Sequence, residues 1–128
     1  MEKLLLAGCG GFLGSSARYL VQLALIRTSE RWSFPTGVLV VNALGCFVIG
    51  LLAAGAPSRL SLSEGERAFL LIGVLGGFTT FSAFGLDTFE LFASHEWGRA
   101  LANVALNLIL GLGAVAAGVF TARWLASH

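Results

Sequence analysis

The chain has 128 residues, of which 56% are hydrophobic and 12% are charged, and its mean hydropathy is +0.84. Soluble domains carry about 25% charged residues, so this composition excludes an ordinary soluble globule. Intrinsic disorder is excluded as well, because it needs low hydrophobicity. The net charge of +1 gives no indication of nucleic-acid binding. The composition therefore predicts an integral membrane protein.

Four apolar stretches predict four transmembrane helices in a single domain covering residues 1–128, and hence a multi-pass membrane protein. A helix needs about 20 mostly apolar residues to cross the hydrocarbon core. Runs without Lys, Arg, Asp or Glu cover 27 residues at 32–58, 19 at 68–86 and 23 at 100–122, while 4–26 is interrupted only by Arg18. We place the helices at about 4–26, 36–56, 68–93 and 99–125.

The ends of these stretches carry the expected boundary signals. Ser63 with Glu66 three residues later is typical of a capping box at the start of the third helix. Tryptophans stand at segment ends, where interfacial aromatics belong: Trp32, Trp97 and Trp124. The predicted connections are Arg27–Pro35, Pro57–Arg67 and Ser94–Gly98.

Basic residues hardly favour either orientation in the membrane. With a cytoplasmic N-terminus, Lys3, Arg59, Arg67 and Arg123 would be inside, and Arg27, Arg31 and Arg99 outside. Four against three is too small a difference for the positive-inside rule to decide. We therefore expect insertion in both orientations and an antiparallel homodimer with the same patch on each partner.

Small residues recur at the spacing that allows close helix approach in lipid. Gly10 and Gly14 form one GxxxG pair and Gly73 and Gly77 another, and Ala114 and Gly118 are spaced similarly.

Polar side chains inside the apolar spans are few, and such residues are candidates for function. Asn42 is the only strongly polar side chain of the second span, and Asn103 and Asn107 share a face of the fourth. Each is open to two interpretations, an interhelical hydrogen bond or contact with a transported species.

The third span contains two adjacent glycines followed by three hydroxyl residues, within Gly76–Gly85. Glycine costs about 1 kcal/mol in a helix interior, so this stretch predicts a break at mid-membrane. The carbonyls that a break frees are tolerated where they face protein, water or an ion, and they are known ligands of Na⁺. The alternative is a continuous helix in which Ser and Thr bond back to the preceding turn.

Aromatic and charged residues complete the candidates. Phe78, Phe81 and Phe84 recur every three residues, as a stripe that packs or faces lipid, or as ring edges whose positive rims contact an anion. Arg18 and Asp87 fall near span ends, and we expect Arg18 to extend toward a headgroup or an aqueous vestibule.

The spans offer no plausible catalytic or metal-binding set. The first, second and fourth spans have no acidic residue in their interior, and neither histidine falls at mid-membrane. No Cys, His and carboxylate cluster has metal-ligand spacing, and no Ser, His and Asp set is plausible. We therefore do not expect an enzyme.

The stretch Gly76-Gly77-Phe78-Thr79-Thr80-Phe81-Ser82-Ala83-Phe84 resembles a signature of the Fluc/CrcB family of bacterial fluoride channels. Two further motifs extend this resemblance over the whole chain. They are Gly11-Phe12-Leu13-Gly14 followed by Arg18-Tyr19, and Pro35-Thr36-Gly37 running through Val41-Asn42.

This resemblance implies passive fluoride export across the cell (inner) membrane that confers fluoride resistance, through two pores of an antiparallel, dual-topology homodimer. It also implies a structural Na⁺ at the dimer centre, held by the backbone carbonyls of Gly76 and Thr79. The pore residues that it implies are Asn42, Phe81, Ser82, Phe84 and Asn107. The sequence departs from the family pattern at Ala83, where one hydroxyl is missing, and at Asn107 and Asp87.

Two other functions fit a small four-helix membrane protein. A dual-topology multidrug or guanidinium exporter would need a glutamate in the first span, whose interior charge is instead Arg18. A membrane scaffold that transports nothing needs none of the polar residues above.

Overall fold

The computed structural model describes residues 1–55 and 62–128, and within these ranges the regular secondary structure is entirely helical. The α-helices are α1 (Glu2–Trp32), α2 (Thr36–Gly55), α3 (Glu64–Arg67), α4 (Gly76–Phe78), α5 (Phe81–Ala93) and α6 (Trp97–Ser127). A π-helical segment, Ala68–Leu75, joins α3 to α4. Four stretches are long and apolar enough to cross a membrane, at Glu2–Trp32, Thr36–Ala54, Glu64–Ala93 and Trp97–Ser127. The predicted all-α fold with four spans is therefore confirmed.

Helices α1 and α6 and the start of the third span extend beyond the predicted bounds, whereas α2 and the end of the third span lie within one residue of them. Helix α1 continues to Trp32, so most of the predicted connection Arg27–Pro35 is helical. At 31 residues, α1 is about 46 Å long, which exceeds a hydrocarbon core of about 30 Å. Because α1 is longer than the hydrocarbon core, we expect its polar end turns, which sequence hydropathy misses, to reach into the headgroup region. Pro57 and Arg59 lie outside the described residues.

The third span begins at the predicted capping box. The Ser63 hydroxyl accepts a hydrogen bond from the Glu66 backbone N–H at 3.3 Å, and the Glu66 carboxylate accepts one from the Ser63 N–H at 2.8 Å. The helix therefore begins at Glu64, four residues before the predicted start. Lys3 of α1 forms an ion pair with Glu64 at this end of the bundle.

Helix α1 packs against the third span through the predicted glycine pairs. A Cβ atom on Gly10 would lie 3.0 Å from the Gly73 Cα, and one on Gly77 would lie 2.6 Å from the Gly11 carbonyl oxygen. These distances leave no room for a side chain, so backbone lies directly on backbone. Close approach is how helices associate in lipid, where burial of apolar surface gives little driving force.

Helices α2 and α6 pack in the same way. A Cβ atom on Gly50 would collide with the Val115 carbonyl, and one on Gly118 would lie 2.8 Å from the Leu51 backbone nitrogen. The four spans thus form two tightly packed pairs, α1 with the third span and α2 with α6.

The third span is broken within the predicted stretch Gly76–Gly85, at the threonines that follow the paired glycines. Gly76 and Gly77 remain helical in α4, and the chain becomes extended at Thr79 (φ −76°, ψ 156°) and Thr80 (φ −151°, ψ 117°). Gly77 serves instead for contact with α1. The π-helical turns before the break end with the Gly76 N–H donating to the Leu71 carbonyl five residues back.

Candidate functional site

Two threonines form the break between α4 and α5. The Thr79 hydroxyl donates to the Leu75 carbonyl at 2.9 Å and so closes the end of α4. The Thr80 hydroxyl accepts from the Ala83 backbone N–H at 3.2 Å and so caps the start of α5. Threonine is a good N-cap because its side-chain oxygen replaces the acceptor that a new helix lacks. The two hydroxyls therefore stabilise the interruption locally.

Asn42 of α2 stabilises the same break from outside. Its Oδ1 accepts from the Thr80 backbone N–H at 2.9 Å, and its Nδ2 donates to the Thr80 carbonyl at 3.1 Å. Thr80 is buried, with 7% of its surface exposed, so without Asn42 both backbone groups would be unpaired in the membrane interior. The Asn42 amide thus forms hydrogen bonds with both the N–H and the carbonyl of Thr80.

The break frees the two carbonyls that the resemblance assigns to a cation. In a continuous helix, the Thr80 N–H would donate to the Gly76 carbonyl and the Ala83 N–H to the Thr79 carbonyl. Both N–H groups donate to side-chain oxygens instead, those of Asn42 and Thr80. The carbonyls of Gly76 and Thr79 thus lose their regular helical donors, and both residues line one cleft.

The phenyl rings of α5 form a pair beside the break. The centroids of Phe81 and Phe84 lie 5.4 Å apart, with ring planes inclined at 54°. Phe81 is 82% exposed, whereas Phe84 is half-buried. Phe78 lies before the break, and its ring would be 3.6 Å from a Cβ atom on Gly45 of α2. The stripe with a period of three is therefore split, and of its three rings those of Phe81 and Phe84 form a pair.

Asn107 of α6 continues the polar contacts away from Asn42. The second Nδ2 hydrogen of Asn42 is directed at the Asn107 Oδ1, at 3.2 Å. Asn107 Nδ2 in turn contacts the carbonyl oxygen and the Oδ1 of Asn103, each at 3.0 Å. Asn103 Nδ2 donates to the Thr88 hydroxyl at 2.9 Å, and this hydroxyl donates to the Phe84 carbonyl at 2.7 Å.

Ser82 supplies a hydroxyl at the exposed end of the site. Its Oγ lies 3.3 Å from the Thr80 Oγ1, and either atom can be the donor. Only one of the two hydroxyls donates to the other, so the proton of the accepting hydroxyl is available for a further acceptor. Both amide hydrogens of Asn42, by contrast, already have protein acceptors. A direct bond from Asn42 to an anion would have to replace one of these acceptors.

One cleft brings together six of the residues singled out in the sequence: Asn42, Gly76, Thr79, Phe81, Phe84 and Asn107. The described residues that line it are all uncharged. Ser82 adjoins this cleft through Thr80. The sequence analysis did not single out Thr88, and it placed Asn103 on one face of the fourth span without a partner, because spacing alone does not show that a threonine of α5 faces an asparagine of α6.

Arg18 and Asp87 lie apart from this cleft. Asp87 borders two grooves near the α1–α2 connection, beside Ser29 and Pro35, and its buried Oδ2 has no hydrogen-bond partner among the described residues. Arg18 is half-buried on α1.

In the described part of the chain, no group of three or more His, Cys, Asp or Glu side chains could hold a metal. A cation at this site would depend on backbone and hydroxyl oxygens.

Known proteins match this chain over nearly its full length. The family described as "CrcB-like protein, Camphor Resistance (CrcB)" matches residues 5–119. Proteins named "Fluoride-specific ion channel FluC" are among its relatives. The Gluconobacter oxydans protein is 48% identical over 88% of this chain and 79% of its own length. The Chloroflexus aurantiacus protein is 41% identical over 97% of this chain and 98% of its own length. The Rhizobium meliloti protein is 42% identical over 96% of this chain and 98% of its own length.

These relatives carry the name of an ion channel and not of an enzyme, which agrees with the expectation from the sequence. They also agree with the four apolar spans in indicating a multi-pass protein of the cell membrane. The matched region covers most of each of the four spans and includes every candidate site residue named above. The chain therefore belongs to the CrcB family.

Proposed function

We propose that this protein conducts fluoride passively out of the cell, and so confers resistance to fluoride. The observation that carries this proposal is the uncharged cleft beside the broken third span. There the phenyl pair adjoins the hydroxyls of Thr80 and Ser82, one of which has a proton available for an anion. Membership of a family whose relatives are named fluoride-specific ion channels supports the choice of ion.

The site suits a small anion because it replaces water with weak donors placed in series. Moving a bare anion into a medium of low dielectric constant costs tens of kcal/mol, so hydration must be substituted. The hydroxyls of Thr80 and Ser82 have one unshared proton between them. The rims of the Phe81 and Phe84 rings carry partial positive charge, and their inclined planes can present edges toward a common point.

Conduction also requires that the anion can leave. A fixed Lys or Arg in the path would hold a small anion too tightly, because binding must be favourable enough for entry and weak enough for exit. The uncharged lining of the cleft meets this requirement. It also disfavours a cation exporter, which would need a titratable carboxylate in the path.

A second copy of the chain completes the pore. Phe81 is 82% exposed, although the proposed role places its ring beside an anion shielded from lipid. A copy inserted upside down would cover this face, and the near balance of basic residues at the two membrane surfaces permits both orientations. The functional unit that we propose is therefore an antiparallel homodimer.

A structural Na⁺ fits between the two copies. The Gly76 and Thr79 carbonyls lack their regular helical donors and border the open cleft. Two such carbonyls from each copy would give four oxygens, which is chemistry that Na⁺ accepts from unwound membrane helices. When bound, the ion would supply positive charge and join the two broken segments.

Fluoride efflux from liposomes tests the function directly. Purified full-length protein is reconstituted with internal fluoride, and an external fluoride electrode records efflux after a K⁺ ionophore is added. We expect rapid efflux of fluoride, and little efflux from matched liposomes that are loaded with chloride and recorded with a chloride electrode. Absence of fluoride efflux would contradict the proposal, and efflux of guanidinium driven by a proton gradient would favour the exporter instead.

Replacement of Na⁺ tests the cation site. The dimer fraction and the efflux rate are compared in Na⁺ and in N-methylglucamine at equal ionic strength. We expect both to fall without Na⁺, because four facing carbonyls repel each other when no cation lies between them. Exchange of chloride for gluconate at constant Na⁺ is the control. Equal values in both cations would contradict the Na⁺ site and leave fluoride conduction standing.

A further inference from the structure

The asparagines of the site form one hydrogen-bond chain that runs in a single direction. It starts at the Thr80 backbone N–H, passes through the side chains of Asn42, Asn107 and Asn103, and reaches the Thr88 hydroxyl. It ends at the Phe84 carbonyl. Every link is between 2.7 and 3.2 Å long. Helices α2, α5 and α6 are thereby joined by a continuous polar path.

The main chain of Thr80 sets this direction. A backbone N–H can only donate and a carbonyl can only accept, so Asn42 must turn its Oδ1 to the Thr80 N–H and its Nδ2 to the Thr80 carbonyl. The remaining Nδ2 hydrogen then requires an acceptor, and Asn107 presents its Oδ1. The orientation of one amide therefore dictates that of the next.

The same logic carries the direction to the phenyl pair. With its Oδ1 turned to Asn42, Asn107 directs its Nδ2 at Asn103, and Asn103 directs its own Nδ2 at the Thr88 hydroxyl. A hydroxyl that accepts from Asn103 has its proton free, and it donates this proton to the Phe84 carbonyl. Hydrogen bonds aligned in this way polarise and strengthen one another.

We propose that Asn103 is a positioning residue of the fluoride path, which acts through Thr88 on the backbone of Phe84. The Asn103 side chain is fully buried, with 0% exposure, and it is the link between the amides near the break and the hydroxyl on α5. Helix α5 is held by Asn42 at Thr80, just before Phe81, and by Asn103 at Thr88, one turn after Phe84. These two contacts hold the backbone segment that carries the phenyl pair.

This inference rests on the proposed fluoride conduction and adds a residue that would not contact the anion. Substitution at Thr88 gives the sharpest test, because Thr88→Val removes one hydroxyl and keeps the shape of the side chain. Thr121 of α6 is the matched control, since its hydroxyl also donates to a carbonyl four residues back, at 2.8 Å, outside the chain of amides.

We expect Thr88→Val and Asn103→Leu each to slow fluoride efflux by about tenfold or more, as the loss of a buried hydrogen bond in the conducting state would. Thr88→Ser retains the hydroxyl and should restore efflux, and Thr121→Val should match the parent. Because the links act in series, the Asn103→Leu/Thr88→Val double variant should be no slower than the slower single variant. Normal efflux in Thr88→Val, failure of Thr88→Ser to restore it, or effects that multiply in the double variant would overturn the proposal.

Hydrogen exchange separates this inference from the function on which it rests. We expect Thr88→Val to speed amide exchange in the first two turns of α5, whereas Thr121→Val leaves this segment unchanged. If the parent passes no fluoride, the proposed function fails, and unchanged exchange in Thr88→Val would still overturn the positioning role. If Asn103→Leu does not fold, the Thr88 series decides alone.

Discussion

The side-chain amide of Asn42 pairs with the main chain of Thr80 in both directions, at 2.9 and 3.1 Å. Thr80 is extended, and its N–H and carbonyl would otherwise face the membrane interior without partners. The pairing explains how one polar residue in α2 permits an interruption in another span. Asn42 is thus part of the reason that the break exists, in addition to any contact with a transported anion.

Replacement of Asn42 should therefore affect both stability and efflux. We expect Asn42→Ala to lower the melting temperature in detergent, since each unpaired backbone group costs about 1–3 kcal/mol, and to abolish most fluoride efflux. Cys46→Ala is the control, because Cys46 lies one turn further along α2 and lines the same cleft. Full stability of Asn42→Ala would contradict the role of Asn42 at the break.

The phenyl pair should be needed for efflux and dispensable for assembly. We expect Phe81→Ile or Phe84→Ile to suppress fluoride efflux while the dimer fraction stays unchanged, because isoleucine keeps the apolar contact but lacks a positively polarised ring edge. Phe120→Ile is the control, since Phe120 is 67% exposed on α6 away from the cleft. Parent-like efflux in both α5 variants would refute the role of the ring edges.

The sequence indicated the break because it departs from the pattern of an ordinary span. Paired glycines and three hydroxyl residues weaken a helix at mid-membrane, and the structure breaks the third span there. The stretch alone does not show which of its residues leaves the helix, because helix propensity cannot weigh tertiary contacts. Gly77 is needed against α1, and the actual stop depends on Asn42 accepting from the Thr80 N–H.

Contacts between distant helices were harder to predict. The spacing of Asn103 and Asn107 places them on one face of α6, yet it does not show which helix that face meets. The packing of α2, α5 and α6 decides that Asn107 faces Asn42 and that Asn103 faces Thr88. Polar side chains in the spans therefore predict that a hydrogen-bond network exists, and the packing of the helices determines which side chain bonds to which.

Packing of α1 on the third span should depend on glycine at selected positions only. A Cβ atom on Gly14 would lie 2.9 Å from the Phe78 backbone nitrogen and closer still to the Val74 carbonyl, so α1 would have to move away. We expect Gly14→Ala to lower the melting temperature, by about 1–3 kcal/mol of stability. A Cβ atom on Gly8 would have nothing within 4 Å. The melting temperature of Gly8→Ala should therefore equal or exceed that of the parent, because alanine favours a helix. Equal melting temperatures for the two variants would contradict this packing.

The adjacent glycines just before the break offer a way to separate the fold of one chain from the proposed assembly. A Cβ atom on Gly77 would lie 2.6 Å from the Gly11 carbonyl oxygen, so Gly77→Ala should destabilise the chain itself. A Cβ atom on Gly76 would have only an ordinary contact, 3.7 Å from the Leu71 carbonyl oxygen. The single chain should accept Gly76→Ala without a change in its helix content.

Gly76→Ala should affect the proposed dimer and its efflux, although it leaves the fold of the single chain intact. Gly76 borders this cleft, and its carbonyl is one of the two that we propose for Na⁺. A methyl group there would crowd the ion and the facing copy, so we expect a lower dimer fraction and slower efflux, both partly restored at high Na⁺ concentration. Circular dichroism, gel filtration and efflux at several Na⁺ concentrations measure these effects. Parent-like assembly and efflux for Gly76→Ala would contradict the carbonyl site, because the added methyl group would then lie against neither an ion nor a partner.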